Sequence, residues 1–600
     1  MNDDIKRALS EIFSGKIEYN HTYVAKLRDL ADAATSAEDQ KLYQMFQNAM
    51  SLYLKAEERE KPFIPAIQWT DGSRSYSIED FTDDELAMLR DTCSDDLPLV
   101  LLARIADVIW TREKNYLFGE KAIDTYMQLA TVTFDPEHWV DCRDYAQRAA
   151  SIAKSLGLRN GASNKCFEGI EKMITQLNGN DPLFLSMSLI ELIFEIRDTK
   201  SIQYSNYLAI IDRIISSEAP VLHTSRRTED AFALKTRLLM KQGEQAKINA
   251  NYREFALYHE ACAAISANGN QFFQAIHDYE RALLLYRKIK AKDDELRIQR
   301  LLAPLKQKMK DNMKSFESRI DISDLYKHIQ ESLNALPFDK QVISLALNTK
   351  ICSMQELKDE VLKADSVTSR LFPTSLVDEE GRHIITIPPL TSDGAESNQS
   401  ILNLHIYRRM CMMLQFYGLI ASMYFDYIRS SHDIKAVDLS FLVDECVLIP
   451  DDRKEICKAG VKAVLDGQYY EAVHLLVPQI ENMYRSIAKL CGGLVNTFED
   501  DSTEQAKTLK SVFEIPELVD VYDENILFTL KGLLTEKAGV NLRNLVAHGL
   551  VSSEEARSPA VVYFFAVFIK LCTFYSLKCL HIYKEMGYTT TTLIEEEIGG

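Results

Sequence analysis

Apolar residues recur along almost the whole chain at the three- and four-residue intervals of an α-helix, and few residues interrupt them. In 600 residues there are only 22 Gly and 15 Pro, too few to punctuate a chain of short strands and tight turns, so an all-α fold is expected. The helical stretches pair off. Ala103-Arg104-Ile105-Ala106-Asp107-Val108-Ile109-Trp110, followed by Ala122-Ile123-Asp124-Thr125-Tyr126, reads as a helix, a turn and a returning helix. Residues 144–156 with 166–177, 183–194 with 207–215, and 256–265 with 272–289 can be laid out in the same way. Ala275-Ile276-His277-Asp278-Tyr279 repeats the spacing of Ala122 and Tyr126, a small and a large residue one turn apart, which suits close helix packing.

These units return at irregular intervals of roughly 35–45 residues, so the N-terminal part resembles a degenerate tetratricopeptide-like helical-repeat array, with a non-repetitive helical bundle as the alternative. Near residue 371 the composition changes. Asp378-Glu379-Glu380-Gly381 is a turn signal ahead of His383-Ile384-Ile385-Thr386-Ile387 and Pro388-Pro389, and predicts a small β-hairpin within 371–390. Residues 391–400 are polar and turn-rich, as in a linker. Beyond them, helical stretches at 401–428, 456–465, 469–490, 525–534, 541–548 and 560–583 make a C-terminal helical bundle. The expected division is a helical segment at 1–60, the repeat region at 61–370, the hairpin and linker at 371–400, and a bundle at 401–600 that folds by itself.

The formal charge of −19 argues against a general nucleic-acid binder, because non-specific binding rests on many Lys and Arg contacts to phosphate. An RNA partner would have to be recognised in a local basic cleft on an acidic body. The 11 cysteines form no CxxC pair and no zinc-site spacing with histidine, so they read as reduced thiols of a cytoplasmic protein with no metal and no cofactor. Met1-Asn2-Asp3-Asp4 lacks the basic and apolar regions of a signal peptide. The longest apolar run, 560–569, stops at Lys570, far short of the ~20 residues a membrane span requires, and no membrane partner is expected.

Chemistry concentrates in Asn541-Leu542-Arg543-Asn544-Leu545-Val546-Ala547-His548-Gly549-Leu550. At about 100° per residue, Leu542, Leu545 and Val546 form an apolar stripe and Arg543, Asn544, Ala547 and His548 occupy the opposite arc. Gly549 is the residue type found just past a helix end, which places His548 in the last turn with its ring near solvent. Ala547 leaves a notch between a cation and an imidazole, wide enough for a phosphate. RNA cleavage without a metal needs those two groups: an acid or base to move the proton of the ribose 2′-hydroxyl or the leaving oxygen, and a permanent cation to stabilise charge developing on the phosphate. Asn544 can hydrogen-bond the imidazole or the phosphate.

This Arg-Asn, three residues, His pattern resembles the signature of the HEPN superfamily, whose active members are metal-independent ribonucleases. Upstream, Ala472-Val473-His474-Leu475-Leu476-Val477-Pro478-Gln479-Ile480-Glu481 leads into Arg485, and Gly539 precedes Asn541-Leu542-Arg543. Both stretches are similar to a HEPN branch that includes the endoplasmic-reticulum-membrane-associated RNA degradation protein of animals and many bacterial proteins. The resemblance covers roughly the last 150–200 residues. It implies a four-helix bundle with Arg543, Asn544 and His548 as catalytic residues of an endoribonuclease, and Glu481 and Arg485 in support. It also implies a homodimer whose site is composite, and a setting in bacterial defence or a toxin system. On an ideal helix Arg543 and His548 stand about 140° apart, which a second copy facing the first would remedy. The tyrosine that some HEPN toxins carry two residues after the histidine is Leu550 here, so regulation through it is not expected.

Each candidate also has a purely structural reading. Arg543 can form a surface ion pair while His548 caps its helix through the dipole, and Glu481 with Arg485 is an i, i+4 pair that contributes only about 0.3–0.5 kcal/mol. His474 is read as structural, Arg408 and Arg409 as a solvated helix face, and His277-Asp278 and His432-Asp433 as dipeptides without the further ligands a metal site needs. At the level of function, the rival is a non-catalytic scaffold in which the helical array binds a protein partner and the HEPN fold is inactive. If the nuclease is active, the array is expected to restrain or aim it.

Overall fold

The computed structural model describes residues 3–69, 71–157, 161–196, 204–314, 321–363, 370–378, 381–390, 398–498 and 503–588. They fall into two compact units, Met1–Asp311 and Asn312–Gly600. Both are α-helical, and the only sheets among the described residues are three two-stranded antiparallel hairpins. Among these residues no helix is long and apolar enough to cross a membrane.

In the first unit the helices pack on their sequence neighbours: Asn20–Ala33 on Ala37–Ser51, Leu99–Glu113 on Tyr116–Val132, Tyr116–Val132 on Val140–Leu156, and Gln245–Asn268 on Phe272–Lys288. Single residues in the left-handed region, among them Lys114 (φ 54°), Asn270 (φ 56°) and Lys290 (φ 56°), let the chain reverse within a few positions. Ala122 with Tyr126, and Ala275 with Tyr279, are buried as their shared spacing predicts. One pairing differs from expectation. The sequence sets 183–194 against 207–215, but helix Leu185–Ile196 packs on Val140–Leu156 and Gly161–Leu177, while Tyr204–Ser217 packs on Arg226–Gln242. Leu185, Leu189, Ile190 and Ile193 are all buried, and a helix this apolar has to be covered by more than one neighbour.

Helix Leu99–Glu113 is buried on every side from Leu101 to Trp110. One face shares a core with Ile5, Leu27, Phe46, Phe63 and Phe81, the other with Ala122, Ile152 and Ile190. Residues 1–60 therefore share their core with 63–109, and no division falls at residue 60. The charge on this central helix is matched: Asp107 accepts from Arg148 Nε at 2.8 Å and Nη2 at 2.7 Å, and from the Tyr126 hydroxyl at 3.0 Å.

The second unit is built around helix Pro559–Phe574, whose residues from Ala560 to Thr573 are all buried. It packs on the long helix Gln399–Ser431. Gly418 is the point of closest approach, where a Cβ would stand 1.8 Å from the Pro559 carbonyl oxygen. The stretch 560–583, expected as one helix, is two. Cys446 pairs with Ser576 in a β-bridge, and Ser576 caps a second helix, Leu577–Glu585, by accepting from the Cys579 N–H. The hairpin expected within 371–390 joins Thr374–Val377 to His383–Ile387. Of its turn, Glu379 and Glu380 lie outside the described residues, as do 391–397 of the expected linker.

The boundary between the units also differs from the expected 401. Helices Ser323–Leu333, Phe338–Asn348 and Met354–Lys363 bury Ile329, Leu333, Val342, Ile343 and Leu357 in the same core as Leu402, Phe425 and Phe565. The Cys352 N–H donates to Thr529 Oγ1 at 3.1 Å, the Tyr563 hydroxyl to the Lys350 carbonyl at 2.5 Å, and Lys570 Nζ to the Ala346 carbonyl at 3.2 Å. A fragment of residues 312–600 is therefore expected to melt cooperatively by circular dichroism. One of residues 401–600, stripped of this cover, should lose the transition or aggregate. Identical melting of the two fragments would contradict the shared core.

Candidate functional site

The apolar spacing of helix Tyr469–Leu490 predicts a core stripe of Val473, Leu476, Val477, Ile480, Tyr484 and Ile487, of which all but the half-buried Ile487 are buried. Beside that stripe stand Glu481 and Arg485, with side chains 17% and 19% exposed. Glu481 accepts from two cations at once, Arg485 Nη2 at 2.7 Å and Arg543 Nε at 3.0 Å. Arg485 also donates to the carbonyls of Lys507 and Val495. It thereby holds the base of the hairpin Asn496–Phe498/Glu504–Ala506. A single carboxylate links this hairpin clamp to the short helix that carries the candidate site.

Burial alone would raise the Glu481 carboxyl, but hydrogen bonds from Arg485 and Arg543, together with their charges, outweigh it and hold the group below the usual carboxylate range. A depressed folded value means that this stabilisation is fully present above the ordinary glutamate range and is lost as pH falls through the folded value. Over that acidic window the melting temperature of the wild type is expected to fall more steeply than that of Glu481→Gln. Parallel curves would show that the carboxylate carries no linkage.

The candidate helix, Leu542–Ala547, is six residues long and is placed by the turn before it. The Val540 N–H donates to the Gly532 carbonyl at 2.8 Å and the Gly539 N–H to the Glu536 carbonyl at 2.9 Å. Cys411 donates its thiol to the Ala538 carbonyl at 3.7 Å, tying the turn to helix Gln399–Ser431. Gly539 lies so close to the preceding helix end that a Cβ would be 2.1 Å from the Gly532 carbonyl oxygen. Asn541 takes the left-handed conformation, φ 57°, which asparagine tolerates better than most residues. Asn544 Nδ2 donates to Asn541 Oδ1 at 2.6 Å. Asn544 is thus engaged with the residue that opens the helix and makes no hydrogen bond to the imidazole. Leu542 is buried, with Leu545 and Val546 packed against the same core.

The helix ends one residue earlier than the sequence predicts. His548 is its C-cap, φ −96° and ψ 1°, with its N–H on the carbonyls of Asn544 and Val546, and Gly549 follows at φ +66°. The His548 ring is exposed and has no hydrogen-bond or ion-pair partner among the described residues. Arg543, with a side chain 33% exposed, bonds Glu481 through Nε, and its two terminal nitrogens have no protein partner among the described residues. That is the geometry in which a guanidinium is oriented from behind and can grip a phosphate with its fork.

The structure thus joins Glu481, Arg485 and Arg543, leaves His548 open beside solvent, and gives Asn544 a local role. His474 has Nδ1 2.8 Å from the Tyr470 carbonyl oxygen and its ring against Tyr470. His277 and Asp278 do not act together, since buried Asp278 pairs with His259 at 2.8 Å. His432 contacts Gln341 at 3.1 Å, and Arg409 pairs with Glu360 at 2.7 Å. Sequence reasoning missed Asn541, Gly532 and Gly539 as the residues that place the helix. The available signal was an asparagine directly ahead of an apolar-periodic stretch, with one glycine, Gly532, near the end of the preceding helix and another, Gly539, in the turn between them.

A family model described as a domain of unknown function (DUF7380) matches residues 4–165. The match lies within the first unit and includes none of Glu481, Arg485, Arg543, Asn544 and His548. No curated protein and no solved structure matches the chain.

Proposed function

We propose that the chain is a cytoplasmic, metal-independent endoribonuclease, with Arg543 and His548 as its catalytic residues and Glu481 and Arg485 as positioning residues. The observation that carries this reading is the hold of Glu481 on Arg543 Nε, which leaves the guanidinium fork without a partner among the described residues, on a short helix whose end presents an imidazole that is also unpartnered among them. The fork binds the non-bridging oxygens of an RNA phosphate. His548 takes the proton of the neighbouring 2′-hydroxyl or delivers one to the leaving 5′-oxygen. One imidazole fills one of these two roles, so a homodimer that brings two short helices face to face completes the reaction. The resemblance to HEPN ribonucleases supports both the residues and the pairing, and extends to a role in defence or a toxin system. The helix pairs of the first unit fit the binding of a protein partner that controls access to RNA.

The test is cleavage of RNA in the presence of EDTA. Products ending in 2′,3′-cyclic phosphate are expected, because the neighbouring hydroxyl rather than water attacks the phosphorus. A second reading, a non-catalytic scaffold, is favoured by the ion pair of Arg543 and by the charge of −19. Under it, purified protein leaves RNA intact with and without its partner.

A further inference from the structure

Helix Glu524–Leu534 lies against the long helix Gln399–Ser431. A Cβ on Gly532 would stand 2.4 Å from Met410 Cε and 3.1 Å from the Tyr407 ring, so the two helices touch there. Toward Glu524 their side chains leave a cleft of about 540 Å³, within the range of roughly 300–1,000 Å³ that small-molecule sites occupy. Tyr407 and Phe528 wall it, with their rings stacked at 5.2 Å between centroids and 22° between planes. Ile406 and Leu527 add apolar surface, and Val519, 45% exposed, stands at the mouth. Hydrogen bonds fix the wall formed by Met354, whose N–H donates to Asn525 Oδ1 at 3.0 Å. Asp523 caps the same helix by accepting from the N–H groups of Asn525 and Ile526.

Two charged side chains and one amide line the same cleft. Glu524 and Lys531 are seven residues apart on one helix, which puts them on nearly the same face and roughly 10 Å apart along its axis. Neither has an ion-pair partner among the described residues. Glu524 is exposed, whereas Lys531 is half-buried beside the apolar wall. An ammonium held there without a carboxylate attracts an anion more strongly than one in open water, because the walls lower the local dielectric. Asn403 Oδ1 accepts from Gln399 Nε2 at 2.8 Å, and the Asn403 amide nitrogen has no partner among the described residues.

We propose that this cleft binds a small aromatic monocarboxylate, with its ring against Tyr407 and Phe528 and its carboxylate on the Lys531 ammonium. The stacked pair favours a flat, apolar body over a polar one. The single cation accounts for one negative charge, and Glu524 at the other end of the same face repels a second. Asn403 donates to an acceptor on the ligand. None of Glu481, Arg485, Arg543 and His548 lines this cleft, and its ligand stands independently of the ribonuclease reading.

Isothermal titration calorimetry of the full chain with 2-naphthoate is expected to show saturable binding at one site per chain. 2-Naphthamide, which keeps the shape and loses the charge, should bind at least about 10-fold more weakly, and so should naphthalene-2,6-dicarboxylate. Lys531→Gln should weaken 2-naphthoate by at least about 10-fold, the loss that goes with one charge-assisted hydrogen bond. Glu524→Gln should leave 2-naphthoate bound and bring the dicarboxylate close to it in affinity. Val519→Trp alters an exposed side chain and should block 2-naphthoate by filling the mouth. Equal affinity for 2-naphthoate and 2-naphthamide would overturn the proposal, as would the absence of saturable binding at millimolar 2-naphthoate. Binding that neither Lys531→Gln nor Val519→Trp alters would place the ligand elsewhere and overturn it too. If Lys531→Gln fails to fold, the comparison of 2-naphthoate with 2-naphthamide on the wild type decides the charge, and Val519→Trp decides the place.

Discussion

His548→Ala is expected to lower RNA cleavage by about 10²- to 10⁴-fold, the usual contribution of a general acid or base, and to leave the melting curve where it was. The second half of this expected result follows from position. The ring is exposed and has no partner among the described residues, so its removal opens no cavity and strands no polar group among them. Arg543→Ala should lower cleavage by about 10²- to 10³-fold, as expected on losing a group that stabilises developing charge. It too should cost little stability, since Glu481 keeps its bond from Arg485. Arg543→Lys separates orientation from charge. A lysine can pair with Glu481 or meet the phosphate, but it has no second donor set with which to do both, so a partial loss carried mainly by kcat is expected. Mixing the Arg543→Ala and His548→Ala proteins should restore part of the activity if the two residues act across a dimer. Equal cleavage by wild type and both alanine variants would falsify the catalytic assignment.

What the sequence made legible was local. Helical periodicity located the Tyr469–Leu490 helix and its buried stripe, because each apolar position is set by its neighbours three and four residues away. The i, i+4 spacing of Glu481 and Arg485 marked them as partners, and Gly549 marked the end of a helix to within one residue. What stayed hidden was set by contacts between distant segments. Glu481 and Arg543 are 62 residues apart, and no periodicity relates them. The break at Ser576 depends on a bridge to Cys446, and the placement of residues 323–363 with the second unit depends on a core assembled from helices far along the chain. Asn544 was read as a hydrogen-bond partner of the imidazole or the phosphate because it stands one helical turn before His548, and no spacing points back to Asn541. The left-handed turn at Asn541 supplied one.

That turn makes a residue without any reactive group decisive. Gly539→Ala is expected to reduce cleavage by roughly 10²-fold with Arg543 and His548 both in place, the scale of loss that a misplacement of about 1 Å produces. The added methyl would stand 2.1 Å from the Gly532 carbonyl oxygen, 2.9 Å from the Gly532 carbonyl carbon and 3.1 Å from the Glu536 carbonyl oxygen. All three are backbone atoms, so no side chain can swing aside and the turn itself has to move. Its movement strains the Val540 bond to Gly532 that sets where the short helix begins, and with it the reach of Arg543 Nε to Glu481. Gly549→Ala is the matching control. It faces open space and meets only the cost of a left-handed alanine, about 1–2 kcal/mol, after Arg543 and His548 have been placed. Gly539→Ala should therefore lose activity and melting temperature together, and Gly549→Ala chiefly melting temperature. Full activity in Gly539→Ala, measured well below its melting temperature, would show that the turn does not position Arg543 and would leave the bond to Glu481 as the sole source of its orientation.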